Sequence, residues 1–125
     1  MHGERHPSCM LQRARELSRR ARMLSNAGRP RFAERAGWAA LLLFEAALGR
    51  LDDETLDAVN MLAICRFNER RFAAAAEVYR DLQTRCEVAY GPGDKLTLIA
   101  AERVLACLDR CERADIGQAG VDSLH

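Results

Sequence analysis

An internal repeat constrains the fold of this 125-residue chain more than any other feature of the sequence. A Gly-x-x-Asp-x-x-Thr-Leu signature occurs twice, 42 residues apart: Gly49, Asp52, Thr55 and Leu56, then Gly91, Asp94, Thr97 and Leu98. Glycine commonly ends a helix, and the helix dipole favours an acidic residue near the start of the next one. A period of this length is typical of proteins built from stacked helical units. The signature therefore predicts two helix starts at equivalent places in successive units.

Helical periodicity fills the segments between the glycine- and proline-bearing breaks. Apolar residues recur there every three or four positions, and no stretch alternates as a strand would. Alanine and leucine dominate, and only three prolines interrupt the chain. The sequence therefore predicts an all-α domain over residues 9–112, between a flexible N-terminus at 1–8 and a flexible tail at 113–125. Its five helices are expected at about 9–27, 30–48, 53–69, 72–90 and 94–112.

A gap-free family pattern runs from Glu54 to Leu98. Its core positions hold small, apolar or aromatic residues, namely Thr55, Leu56, Val59, Leu62, Ala63, Phe72, Ala75 and Tyr79. This pattern resembles the tetratricopeptide repeat (TPR), and its 42-residue length resembles the long variant found in kinesin light chains. The chain departs from that pattern at Arg66, Arg70 and Leu82, where the family usually has tyrosine, glycine and alanine.

The resemblance implies a fold and a function. The fold would be two and a half stacked antiparallel helix hairpins, a short right-handed α-solenoid, with 9–48 as a diverged first unit and 94–112 as a final half unit. The function would be that of a cytoplasmic protein–protein interaction module, an adaptor or a chaperone. It would bind a protein or peptide in a concave groove. Family groove positions fall at Arg15, Arg19, Arg22, Asp57, Asn60, Ile64 and Asn68. The full residue set of a carboxylate clamp is missing, although the Asn60 amide can both donate to and accept from a peptide backbone.

Apolar residues suggest a second candidate surface. The stretch Trp38 to Phe44 is apolar all round, so its helix is expected to be covered on more than one side. The last half unit also lacks a second helix that would cover it. A partner or a second copy is therefore expected to contact some of five residues: Trp38, Leu42, Phe44, Leu105 and Leu108.

Several other classes of function find little support in the sequence. There is no phosphate-binding glycine loop and no His-Glu-x-x-His motif, and all three histidines lie near the ends, so we expect neither catalysis nor a cofactor. His2, His6 and Cys9 are of the residue types that bind metals, but they lie in a terminus that is expected to be frayed, so we expect no metal site. The five cysteines have no metal-ligand spacing and are interpreted as reduced cytosolic thiols, four of them in the core. The longest apolar run is far too short for a membrane span, and Met1 to Ser8 has no apolar signal segment.

Three hypotheses follow for function. The first is the binding module, for which a secretion-system chaperone and a small immunity-type inhibitor are both compatible with the sequence. The second is a self-associating structural or regulatory subunit, a homodimer formed through Trp38–Phe44 or through the last helix. The third is nucleic-acid binding by the arginine-rich first helix, which a net charge of only +1 does not favour.

Overall fold

The computed structural model describes residues 7–123 of the chain, and the side chains of residues 8–117. It consists of five helices: α1 (Pro7–Asn26), α2 (Pro30–Leu48), α3 (Asp53–Asn68), α4 (Phe72–Tyr90) and α5 (Lys95–Ser123). The prediction of an all-α fold with five helices is confirmed, and no strand occurs in the described part of the chain. Within the same residues, no helix combines the length and the apolarity that crossing a membrane requires.

The last helix is longer than predicted. The sequence was expected to leave helix at residue 112 and to continue as a tail, but α5 runs on through Ser123. Gly117 and Gly120 lie in the segment predicted as a tail. A glycine inside a helix costs only about 1 kcal/mol, however, and no proline follows to stop the helix. The first helix likewise begins at Pro7, because proline is well accommodated in a first turn.

Aspartates start α3 and α5 in the same way. One carboxylate oxygen of Asp52 accepts a hydrogen bond from the backbone amide of Glu54 at 3.0 Å. At the equivalent place, Asp94 accepts from the amide of Leu96 at 2.9 Å. Each bond satisfies an amide that has no partner within its helix, and such a cap contributes about 1 kcal/mol. The repeated signature is therefore a repeated helix start, as predicted.

The threonines of the signature tie each helix start back to the preceding turn. The buried hydroxyl of Thr55 donates to the carbonyl of Gly49 at 2.7 Å, and that of Thr97 donates to the carbonyl of Gly91 at 2.8 Å. Both glycines have positive φ, at 87° and 101°, where side-chain-bearing residues are strained. The turn geometry thus requires a glycine, and the glycine carbonyl requires a nearby donor.

The turns within the first two hairpins also match at the 42-residue offset. Gly28 and Arg70 both have positive φ, at 75° and 61°. The amide that follows each of them, of Arg29 or Arg71, bonds to the carbonyl five residues earlier at 2.9 Å or 3.0 Å. These bonds are typical of a helix end with a left-handed residue. Arg70 adopts this conformation without being a glycine, which costs roughly 1–2 kcal/mol.

Consecutive helices pack against each other along the whole chain, and α1 also contacts α3. Small residues allow the close approach: Ala63 and Ala75 are fully buried, and a Cβ atom added to Gly37 would lie only 3.1 Å from Cδ2 of Leu62. Interiors packed at this density leave little room for larger side chains. One continuous core therefore runs through all five helices.

Arg66 links the first hairpin to the second, which gives a physical role to one departure from the family pattern. Its Nε donates to Glu34 at 2.8 Å, and its guanidinium lies 5.8 Å from the centre of the Trp38 ring. Arg71 donates to the other oxygen of Glu34 at 3.1 Å. Burial raises the pKa of Glu34, but the hydrogen bond and the charges of the two arginines outweigh it, so this pKa lies below its usual value.

Candidate protein-binding groove

The main functional candidate is a cleft of about 560 Å³ between α3, α4 and α5. Its floor is apolar and is formed mainly by Leu56, Leu82, Cys86, Leu96, Ile99 and Ala100. Its polar wall carries Asp53, Asp57, Asn60, Tyr90, Asp94 and Arg103. An apolar cleft of this size with a few convergent polar groups is typical of a ligand site.

Carboxylates dominate the electrostatics of this cleft. Three aspartates face a single guanidinium, that of Arg103, so the lining carries a net negative charge at neutral pH. The Tyr90 hydroxyl donates to Asp53, which joins the end of α4 to the start of α3. That hydrogen bond, with smaller effects of burial and nearby acids, raises the pKa of Tyr90 to about 12. The tyrosine therefore stays protonated and keeps donating at physiological pH.

Asp57 lies where the cleft meets a second, shallower groove. Burial raises its pKa, the negative charge of Asp53 raises it further, and Arg22 opposes them. These surroundings therefore disfavour the charged form of this acid. A cation bound beside Asp57 would relieve that cost.

The shallower groove has a volume of about 180 Å³ and is lined by the exposed side of α1. Arg15, Arg19 and Arg22 all line it, together with Glu54 and Asp57. Arg15 is engaged there, since it donates two hydrogen bonds to Glu54 at 2.9 Å and 2.7 Å. The shallow groove and the cleft together are therefore basic along α1 and acidic between α3 and α5.

The structure brings together most, but not all, of the predicted groove residues. Asp57 and Asn60 line the deep cleft, and the three arginines of α1 line the shallow groove. Ile64 and Asn68 lie further along α3 and line neither.

Sequence reasoning missed part of the polar wall, although the repeat carried the signal for one residue of it. Moving Asp57, a predicted groove residue, by the 42-residue offset gives Ile99, and moving Met61, the neighbour of the predicted groove residue Asn60, gives Arg103. Both equivalents line the cleft. Tyr90 closes the cleft from the end of α4, which the family pattern does not place in the groove.

The predicted apolar interface needs one correction. Phe44 is only 2% exposed and belongs to the core, because its side of α2 faces the neighbouring helices. Trp38, Leu42, Leu105 and Leu108 are partly or largely exposed, as that interpretation requires. The helix from Trp38 to Phe44 is therefore covered on one side and open on the other.

The cysteines offer no reactive or metal-binding group among the residues that the structure describes. Three of them are buried, Cys111 is half-buried and Cys9 is exposed, so three rather than four lie in the core. Burial, with smaller effects of Glu34 and Glu69, raises the pKa of Cys65 to about 11, which keeps this thiol protonated. No group of three or more candidate metal ligands occurs in the described part of the chain. His2 and His6 lie outside it.

Comparisons with protein-family models, with curated proteins and with solved structures find no match. The fold and the groove define a class, an all-α protein of consecutively packed helices with an open cleft of mixed acidic and apolar character. Within that class, the TPR-like character of Glu54 to Leu98 stays a prediction from the sequence.

Proposed function

We propose that this chain is a protein-binding module that holds a segment of a partner protein in the cleft between α3, α4 and α5. The observation that carries the proposal is the composition of this cleft, three aspartates above an apolar floor. The segment that fits has lysine or arginine side chains for the acids and apolar side chains for the floor. Such a module would act as an adaptor or a chaperone in the cytoplasm, in keeping with the TPR resemblance.

The polar groups divide the work of recognition. Asp57 and Asp53 would receive basic side chains, since hydrogen bonds between ionised partners are shorter and stronger than neutral ones. The amide of Asn60, on the same wall, is able to donate to and accept from the backbone of an extended segment. The Tyr90 hydroxyl is already committed to Asp53 and therefore orients that carboxylate rather than the ligand.

The charge of Asp57 makes the proposed binding depend on pH. Because its pKa is raised, this aspartate begins to take up a proton at a higher pH than an ordinary aspartate does. A bound cation favours the charged form, so protonation and binding oppose each other. Affinity for a basic segment is therefore expected to fall as pH falls through the pKa of Asp57.

A short labelled peptide tests the proposal without knowledge of the natural partner. Fluorescence polarisation is measured with a peptide of alternating lysine and leucine and with its glutamate–leucine counterpart, at two salt concentrations. Asp57→Lys is expected to weaken binding of the basic peptide about tenfold or more, which corresponds to about 1.4 kcal/mol. The matched control is Glu87→Lys, the same charge change at an exposed position of α4 outside the cleft.

The two peptides and the two variants separate the outcomes. Preference for the lysine peptide that is lost in Asp57→Lys and kept in Glu87→Lys supports the proposal. Equal binding of both peptides would instead reflect non-specific apolar association, and equal loss of binding in both variants would reflect the overall surface charge. Either result would overturn the assignment of the cleft.

A further inference from the structure

The repeat shows which face of α5 lacks a cover. In α3, Leu56 and Ala63 are buried, at 5% and 0% exposure. Their equivalents 42 residues later are Leu98 and Leu105, which are 52% and 67% exposed. The same positions of the same unit are thus core in one helix and surface in the other, because α4 packs against α3, whereas α5 is the last helix in the part of the chain that the structure describes.

The other end of the stack is built differently. Four positions of α3 that lie on the side of the first hairpin are buried: Thr55, Ala58, Leu62 and Cys65. Their equivalents in α1 are exposed, and three of the four are charged: Arg13, Glu16, Arg20 and Met23. A stack of helices stays soluble when its terminal faces are polar. The exposed side of α1 meets this requirement. The exposed side of α5, which carries Leu98 and Leu105, does not, and it is therefore suited to contact with another molecule.

The uncovered face of α5 is acidic as well as apolar. Three carboxylates lie on the same side of the helix as its exposed leucines: Glu102, Asp109 and Glu112. Arg110 instead lies over the partly buried rings of Phe67 and Phe72 at 5.7 Å and 5.8 Å, and Arg103 lines the cleft. Arg113 pairs with Asp109 at 3.1 Å, and the exposed Lys95 lies one turn before Leu98, so the α5 face keeps a small excess of negative charge. We use this name for Leu98, Leu105 and Leu108 with those carboxylates.

A second uncovered face, on α2, has the opposite charge. Phe32, Trp38 and Leu42 are 53%, 40% and 64% exposed along one side of this helix. Arg31 and Arg35 lie among them and are also exposed. Neither arginine forms an ion pair with any residue that the structure describes. We call these five residues the α2 face.

We propose that the α5 face of one molecule binds the α2 face of a second copy, and that the reciprocal contact closes a two-fold dimer. Opposite charge selects this pairing, because two α5 faces would oppose carboxylates and two α2 faces would oppose arginines. In a two-fold dimer, symmetry produces every contact twice: the α5 face of the first copy contacts the α2 face of the second, and the α2 face of the first contacts the α5 face of the second.

The size of the two faces favours the reciprocal arrangement over a single contact. Residues 98–112 of α5 form a strip about 22 Å long and about 10 Å wide, or roughly 220 Å² per molecule. One contact then covers about 440 Å² in total, which is in the range of crystal-packing contacts. Two contacts cover about 880 Å², which exceeds most crystal-packing contacts and lies in the range of weak, transient interfaces, below about 1,200 Å². A dimer that forms at micromolar to tens-of-micromolar concentration is therefore expected.

The test measures mass in solution by sedimentation equilibrium for the full chain between 5 and 200 µM, values chosen around that expected range. The wild type is expected to approach twice the monomer mass of 14.0 kDa. Two variants reverse one face each: Arg31→Glu with Arg35→Glu on α2, and Glu102→Lys with Glu112→Lys on α5. Met23→Asp, at a 71% exposed position on the polar end of the stack, is the control.

Each variant alone is expected to stay monomeric. In the α2 variant both faces are acidic, and in the α5 variant both are basic, so both contacts of the dimer would join like charges. An equimolar mixture of the two variants is expected to recover the dimer, since every contact in the mixed pair again joins opposite charges. This recovery also shows that both variants are folded. Met23→Asp is expected to dimerise like the wild type.

Each alternative result overturns the proposal in a recognisable way. A wild-type monomer at 200 µM excludes the dimer. Self-association that persists in the α2 variant would mean that α5 faces pair with each other or with another surface, and persistence in the α5 variant excludes the α5 face. Mass that grows past two copies with concentration would replace the closed dimer with an open chain, and failure of the mixture to recover would refute the reciprocal charge pairing.

Discussion

Replacing Thr55 with valine tests whether the repeated signature holds the stack together. Valine has nearly the shape of threonine and lacks its hydroxyl. The Thr55 side chain is fully buried, and its hydroxyl donates to the Gly49 carbonyl at 2.7 Å. In the variant this carbonyl loses its donor, and the hydrogen bond that is lost is partly buried. The same change at Thr97 repeats the perturbation one unit later.

The expected cost follows from the hydrogen bond and from the acceptor left without a partner. A buried hydrogen bond contributes about 1 kcal/mol, and an unsatisfied buried group costs about 1–3 kcal/mol. We expect Thr55→Val to lower the free energy of unfolding by about 2 kcal/mol. For a domain of this size that is a fall of about 8 °C in Tm. Urea titration followed by circular dichroism at 222 nm measures it, with the slope checked for two-state behaviour.

Thr84 provides a matched control within the same protein. It is exposed, and its hydroxyl donates to the Arg80 carbonyl at 3.0 Å inside α4. Thr84→Val removes a hydrogen bond that water replaces, so the change is expected to stay within about 0.5 kcal/mol. The two signature variants should be additive, because the threonines have no shared partner. Equal small losses at Thr55 and Thr84 would refute the role assigned to the signature.

Three further substitutions follow from the same structure. Asp57→Asn should raise the free energy of unfolding at pH 7 by up to about 0.5 kcal/mol, while weakening the binding of the basic peptide. The reason is that a raised pKa gives stability that is lost as pH rises through it, so the gain must shrink in acid melts. Glu34→Gln should cost about 2 kcal/mol at pH 7, since its lowered pKa gives stability that is lost as pH falls. In urea titrations, the difference between wild type and variant should therefore be smaller at pH 3 than at pH 7. Arg70→Gly should stabilise by about 0.5 kcal/mol in urea titration, because relief of left-handed strain exceeds the entropy cost of glycine; a loss would mean that the arginine side chain contributes more than the strain.

The helices could be predicted because local and tertiary signals agree along most of the chain. Glycines at 49 and 91 mark helix ends by positive φ, and aspartates mark the next starts by capping, and both are properties of single residues. The end of α5 gave no such agreement. Gly117 permits either a tail or a continuing helix, and propensity differences of about 1 kcal/mol do not decide between them.

The groove could be predicted only where one helix supplies it. Asp57 and Asn60 lie on one side of α3, which periodicity shows directly. Tyr90 is the last residue of α4 and donates to Asp53 at the start of α3, so its position depends on how α3 and α4 pack against each other. The same limit explains Phe44, since a uniformly apolar stretch does not indicate which of its residues faces the core.

The two copies of the repeat agree where they build the fold and differ where they line the cleft. The capping aspartates, the turn glycines and the buried threonines are the same in both copies and make the same bonds. At the cleft, one copy has Asp57 where the other has Ile99, and both side chains face the same space. An apolar residue at position 57 would fit the scaffold as well as Ile99 does, without the charge that burial opposes. The proposed basic and apolar segment in the cleft would account for the aspartate, since a cationic side chain would pair with the charge at position 57.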